Sequence, residues 1–261
     1  MTSHTPDAPD TSAHPVIELR RYRLHRSARE TLIDLFDREF LETQDAAGMS
    51  VLAQFRDLDD PDAFVWLRRF EDLPRRAEAL RSFYTGPVWA RHRDAANGTM
   101  VNSDNVLMLT PLGDAVPPSL LGPGSLPPRF GANRPPPATD LGEPGVFEMT
   151  TCYLAPRTDT AFAAWFEESV RPALLAAGAG VEGRWLVDHR ENNFLGLPVR
   201  EGETLFIWLL RFDGHDDLQK FHQKLADSAV WRDQLWPEMN KRTWRENEVL
   251  RLAPTGRSLL R

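Results

Sequence analysis

The chain has 261 residues, 41% hydrophobic and 26% charged, which is enough length and apolar content for two ordinary domains with a packed core. A net charge of −7 argues against nucleic acid as a partner, because phosphate binding needs a basic face. No run approaches the roughly 18 apolar residues of a membrane span, no Lys/Arg cluster suits an anionic membrane surface, and the single cysteine, Cys152, allows no internal disulfide and fits a reducing cytoplasm.

In chain order, residues 1–14 are small, polar and Pro-containing, and read as a disordered tail without the apolar stretch of a secretory signal. A strand is expected at 17–24. A helix follows, with Leu32, Leu35, Phe36 and Phe40 at helical spacing and Gly48 at its stop. Strands at 51–56 and 63–70, a helix at 73–84, a short helix near Val88-Trp89 and a strand at 105–109 complete this stretch. Residues 112–145 are Pro- and Gly-rich, with Pro135-Pro136-Pro137 in a row, and read as a linker in which Leu120, Leu121 and Phe130 pack on the surface. The pattern then recurs: strand 146–154, a helix through Phe162, Trp165, Phe166 and Val170, Gly178 as its stop, strands 181–188 and 205–212, helix 216–226, and strand 249–252. Residues 255–261 read as a tail.

The recurrence is a duplication. A shift of 130 carries Val16-Ile17-Glu18 onto Val146-Phe147-Glu148, and Phe36, Gly48 and Phe55 onto Phe166, Gly178 and Trp185. A shift of 142 carries Trp66 to Glu71 onto Trp208 to Asp213, and Val88-Trp89 onto Val230-Trp231. The difference places an insertion in the second copy near 191–202. The expected fold is α+β: two ferredoxin-like βαββαβ repeats, 15–111 and 146–254, forming a fused pseudo-dimeric α+β barrel. Two four-stranded sheets with helices on one face each would cover each other's bare faces and leave a lumen between them.

The opening Glu18-Leu19-Arg20-Arg21-Tyr22 resembles the first strand of the NIPSNAP family, as do the helix with Phe36 and Phe40, the end of the Trp66 strand, the Trp89 helix and Asn105-Val106-Leu107-Met108. The second copy resembles the same domain more weakly: Glu148 is kept, while Thr150 and Cys152 replace the Arg and Tyr. The resemblance covers about three quarters of the chain and implies a dimeric α/β barrel. Related barrels span cofactor-free monooxygenases, isomerases, cyclases and haem proteins of the chlorite dismutase type, so fold alone assigns no reaction.

Alternation along the first strand puts Glu18, Arg20 and Tyr22 on one face and Ile17 and Leu19 on the other. The polar trio is expected to face the lumen, either as the catalytic set, with Arg20 and Tyr22 polarising a ligand oxygen and Glu18 accepting a proton, or as a Glu18–Arg20 pair that merely neutralises itself inside the barrel. Glu148, Cys152, Trp185 and His222 are the further ligand-binding candidates. Cys152 has no visible activating partner, and a lone cysteine is more often a small buried core residue than a nucleophile. His222 stands where the first copy has the core residue Leu80, and reads either as a hydrogen-bonded core histidine or, if the barrel is of the haem type, as an axial ligand. His189 opens the polar insertion. None of the seven histidines falls into metal-ligand spacing, so no metal and no cofactor are expected, with haem as the alternative. The leading expectation is a monomeric or homodimeric protein that binds and transforms a hydrophobic or aromatic metabolite. The competing readings are the haem barrel and a non-catalytic interaction protein.

Overall fold

The computed structural model describes residues 14–113, 134, 136 and 145–261. The expectations for most of the N-terminal tail and of the linker, with Leu120, Leu121 and Phe130, lie outside those residues. The described chain closes into an antiparallel barrel of eight strands. The N-terminal half supplies β1 (Val16–Leu24), β2 (Ser50–Asp57), β3 (Ala63–Phe70) and β5 (Val106–Pro111). The C-terminal half supplies β6 (Val146–Tyr153), β7 (Gly180–Val187), β8 (Leu205–Phe212) and β9 (Glu248–Pro254). The order around the barrel is β3-β2-β9-β6-β8-β7-β5-β1, closed by β1 on β3. The halves therefore meet at two seams, β2–β9 and β5–β7. A short strand that the sequence pattern did not suggest, β4 (Met100–Asn102), adds to the end of β1. Closure gives each of the eight strands a neighbour on both sides over part of its length.

Strand alternation divides the side chains between two environments. Ile17, Leu19, Phe55, Leu67 and Leu109 from one half meet Phe147, Met149, Trp185, Ile207 and Leu252 from the other in one buried cluster inside the barrel. The interior is thus packed with apolar side chains, each contributing about 1.5–3 kcal/mol through burial. Gly183 lies beneath the Trp185 ring, where a Cβ would collide with it. The glycine lets the indole lie flat in the interior.

The helices sit on the outer faces. In the N-terminal half, α1 (Arg29–Leu35), a π turn (Phe36–Phe40) and α2 (Leu41–Ala46) form one helical run, followed by α3 (Leu73–Tyr84) and α4 (Pro87–Asn97). The C-terminal half repeats the order with α5 (Asp159–Trp165), a π turn (Phe166–Val170), α6 (Arg171–Ala177), α7 (His215–Asp227), a further π turn (Trp231–Leu235) and α8 (Trp236–Arg242). Gly48 and Gly178 both follow their helices with φ of +95° and +107°, the left-handed conformation that ends a helix most readily with glycine. Asp72 caps α3 by accepting from the Arg75 amide at 2.7 Å. None of these helices is long and apolar enough to cross a membrane.

Residues 255–261, read from sequence as a tail, are packed. β9 pairs with β2 only from Phe55 to Asp57, which leaves the rest of that edge open. The C-terminal segment covers it: the Thr255 amide donates to Gln54 O at 2.9 Å and Leu260 to Leu52 O at 3.3 Å. Leu260 is 1% exposed and enters the barrel interior.

Candidate functional site

Glu18, Arg20 and Tyr22 share one face of β1, but that face meets the helices and not the lumen. The expectation of a lumenal catalytic trio is overturned, and the reason is charge. A buried carboxylate needs partners, and the partners stand on the helix side. Arg20 Nη1 donates to Glu18 Oε2 at 2.8 Å. Arg68 Nε, from β3, donates to the same oxygen at 2.8 Å. Arg76 Nε, from α3, donates to Oε1 at 2.7 Å. Arg20 Nε in turn donates to the Tyr22 hydroxyl at 2.9 Å. Burial pushes the Glu18 carboxyl up, but Arg68, Arg76 and Arg20 together outweigh it and hold the group well below the usual carboxylate range. With both oxygens occupied and the side chain fully buried, Glu18 has no room to act on a ligand.

The open site lies in the same layer of the other half. Between the C-terminal sheet and its helices is a cleft of about 1040 Å³, with Glu148, Thr150, Trp208 and Leu210 on its sheet side and Phe221 and His222 from α7 on the other. Two causes open it. The first is side-chain volume. In the N-terminal half Phe40 packs on Phe83 and Trp89 with ring centroids 5.8 and 5.7 Å away, and Phe36 packs on Trp66 at 4.9 Å. At the positions of Phe40, Phe83, Tyr22 and Arg20 the C-terminal half carries the smaller Val170, Leu225, Cys152 and Thr150.

The second cause is the insertion, which crosses to the opposite half. Asp188 and Arg200 donate backbone hydrogen bonds to Met108 O and Val106 O, both at 2.8 Å, on the part of β5 that β7 leaves unpaired. Asn192 and Asn193 accept from Arg76 Nη1 at 3.1 and 2.8 Å, and Phe194 stacks near Tyr84 at 6.3 Å. This strap seals the N-terminal half. The β2–β3 connection, residues 58–62, is too short to do the same for the C-terminal half. Val106 is accordingly 0% exposed, while Val249, its counterpart at the cleft, is 49% exposed.

Inside the cleft, Glu148 and His222 pair, with Nε2 and Oε2 2.7 Å apart. The hydrogen bond to Glu148 raises the His222 pKa; burial opposes the shift and the Glu148 charge adds to it. A raised pKa means that the contact stabilises the fold fully below the unfolded-state value of about 6.5 and fades as pH rises through the folded value. Titration of His222 by NMR is expected to give a midpoint above that of an unperturbed histidine, returning towards it in Glu148→Gln. An unchanged midpoint in that variant would show that the pair does not form.

The other expected residues fall elsewhere. Trp185 is inside the barrel, remote in layer from the cleft, and faces a packed interior. Cys152 is fully buried in the core behind the cleft, and burial pushes its thiol up, which makes it a poor nucleophile. His189 is on the surface, 3.0 Å from Asp159. Trp231, Trp236, Trp244 and Asn247 line the cleft and were not singled out as ligand contacts by the sequence pattern. The signal that would have found them is the loss of arginine at 150, 210 and 218. Among the described residues no three His, Cys, Asp or Glu side chains gather as a metal site. Of the haem reading, the structure shows only that His222 stands half-exposed at the cleft mouth with its Nε2 on Glu148.

No protein-family model matches the chain, and no curated protein matches it. Solved structures do. A protein from Fusobacterium nucleatum, proposed to be a monooxygenase, aligns over 93% of both chains at 10% identity with a TM-score of 0.58. An anthrone oxidase-like protein aligns over 95% of this chain and 96% of its own at 12% identity with a TM-score of 0.57. The NIPSNAP resemblance also has structural counterparts: a NIPSNAP-like domain protein from Burkholderia xenovorans aligns with 40% of this chain and 91% of its own at 23% identity, TM-score 0.37. The two full-length likenesses establish the α+β barrel fold.

Proposed function

We propose that the protein binds a flat apolar or aromatic small molecule in the cleft of its C-terminal half, with the Glu148–His222 pair as its polar anchor and proton-transfer site. The observation that carries this reading is the asymmetry of the two halves: one helix layer is filled by aromatic rings and strapped shut, and the other holds an open apolar cleft around a carboxylate–imidazole pair. Such a combination of apolar walls and few convergent polar groups is how small-molecule sites are built. With His222 Nε2 facing Glu148, Nδ1 is the nitrogen left to take a proton from a ligand, and the Glu148 carboxylate stabilises the imidazolium that forms. Cofactor-free proton transfer, cyclisation or oxygenation are the reactions this pair can serve, and oxygenation accords with the names of the two full-length neighbours.

Matching registers and matching bulges in the two halves support descent from a duplicated ferredoxin-like unit, with 15–111 and 146–254 as the copies and 112–145 as the join. After duplication one copy became a structural partner and the other kept the cleft.

Calorimetric titration with 1-naphthalenemethanol is expected to show binding that Leu225→Phe abolishes, because the substitution restores the ring that Phe83 provides in the closed half. Oxygen uptake in the presence of anthrone is expected to fall in His222→Ala. Binding unaffected by Leu225→Phe would exclude the cleft as the site.

A further inference from the structure

The pairing register sets Glu148 opposite Leu210 on β8, where Glu18 stands opposite Arg68 on β3. The shared repeat spacing puts Thr150 at the place of Arg20 and Leu218 at the place of Arg76. All three guanidinium groups that neutralise Glu18 are therefore absent around Glu148. Its side chain is only 8% exposed, and among the described residues its one hydrogen-bonded partner is His222, which is 52% exposed and titratable.

The other cations near the cleft lie at its rim and are engaged. Arg232 binds Asp233 at 2.9 Å. Arg245 stacks on the Tyr153 ring at 3.3 Å from its centroid. Arg251, the cross-strand neighbour of Glu148, is drawn to Asp59 of the β2–β3 connection. All three are exposed, where water weakens their field. Glu246 adds an exposed negative charge at the same rim. Among the described residues, the charge set deepest among the apolar walls is that of Glu148, and Trp208 and Trp231 line the same cleft with aromatic surface that favours cations.

We infer that the ligand carries a cationic nitrogen that sits on the Glu148 carboxylate, so that the cleft selects apolar amines over neutral or anionic compounds of the same shape. The inference rests on the cleft being the binding site. An ammonium donates a charge-assisted hydrogen bond to a carboxylate that is already desolvated, whereas a ligand carboxylate would meet a like charge in a medium that screens it poorly.

The test is a matched set on the full chain by calorimetry: 1-naphthylmethylamine, 1-naphthalenemethanol and 1-naphthaleneacetate. The amine is expected to bind roughly tenfold or more tightly than the acid, the span of one charge-assisted hydrogen bond, with the alcohol between them. Glu148→Gln is expected to bring the three within about threefold of one another, the residue of ordinary mutational scatter. His222→Gln, which leaves the carboxylate without its imidazole partner, is expected to widen the preference and serves as the second variant if Glu148→Gln folds poorly. Equal binding of all three, tighter binding of the acid, or an amine preference that survives Glu148→Gln would overturn the inference. Binding of the alcohol without charge discrimination sinks the cation assignment while the cleft stands; no binding of any of the three removes both.

Discussion

Glu18→Ala is expected to destabilise the protein by about 3–5 kcal/mol, the cost of stripping one partner from a buried ionic cluster. The substitution leaves Arg20, Arg68 and Arg76 facing one another with no carboxylate between them, and none of the three can move to water, since their side chains are 2%, 0% and 0% exposed. Guanidinium groups do not escape by losing a proton. Urea denaturation at neutral pH measures the effect. The pH dependence follows from the sign of the Glu18 shift. A carboxyl held below its unfolded value of about 4.3 stabilises the fold above that pH and loses the contribution as pH falls towards the folded value. The gap between wild type and variant should therefore narrow in acid. Removing all four charges together, with apolar or small residues such as those at Thr150, Leu210 and Leu218, is expected to cost less than Glu18→Ala alone. A neutral outcome for Glu18→Ala would show that the cluster does not hold the N-terminal helix layer to its sheet.

Leu260→Ala is expected to cost about 2–5 kcal/mol, the range for a large-to-small change in a packed interior that cannot collapse around the cavity. Leu260 is buried inside the barrel among residues from both halves, so the cavity opens where Leu52 and its neighbours meet the C-terminal sheet. Deleting 255–261 is expected to cost more, because it also uncovers the Leu52 and Gln54 edge of β2. Thermal unfolding of both variants checks this. A loss below about 1 kcal/mol for Leu260→Ala, the size of a surface change, would mean that the segment only rests against the barrel.

Much of the barrel could be read from residue order. The alternation of β1, the helical spacing of Phe36 and Phe40, and the glycines at 48 and 178 each rest on local chemistry, and all appear where local chemistry put them. What could not be read was which face of β1 turns inward. Polarity alone suggested that Glu18, Arg20 and Tyr22 face a wet lumen. The deciding contacts are with Arg68, 50 positions on, and Arg76, 58 positions on, and such long-range pairing is invisible to periodicity. The same limit hid the strap: the polar stretch that His189 opens read only as an insertion of the second copy near 191–202, because the partners Val106, Met108 and Arg76 belong to the other half. Glu148 and His222 were both legible as candidates, one from the repeat and one from its place on an apolar helix face. Their 2.7 Å contact and the cleft around them depend on the missing arginines and on the uncovered Val249 edge.

The proposed function has ligands enter between sheet and helices in the C-terminal half and not between the two sheets. Indole N–H signals of the assigned tryptophans, followed by NMR during titration with 1-naphthalenemethanol, test it most directly. Trp208 and Trp231 are expected to shift with ligand while Trp185 and Trp66 stay fixed. Movement of Trp185 with Trp208 and Trp231 unchanged would place the ligand inside the barrel and contradict it.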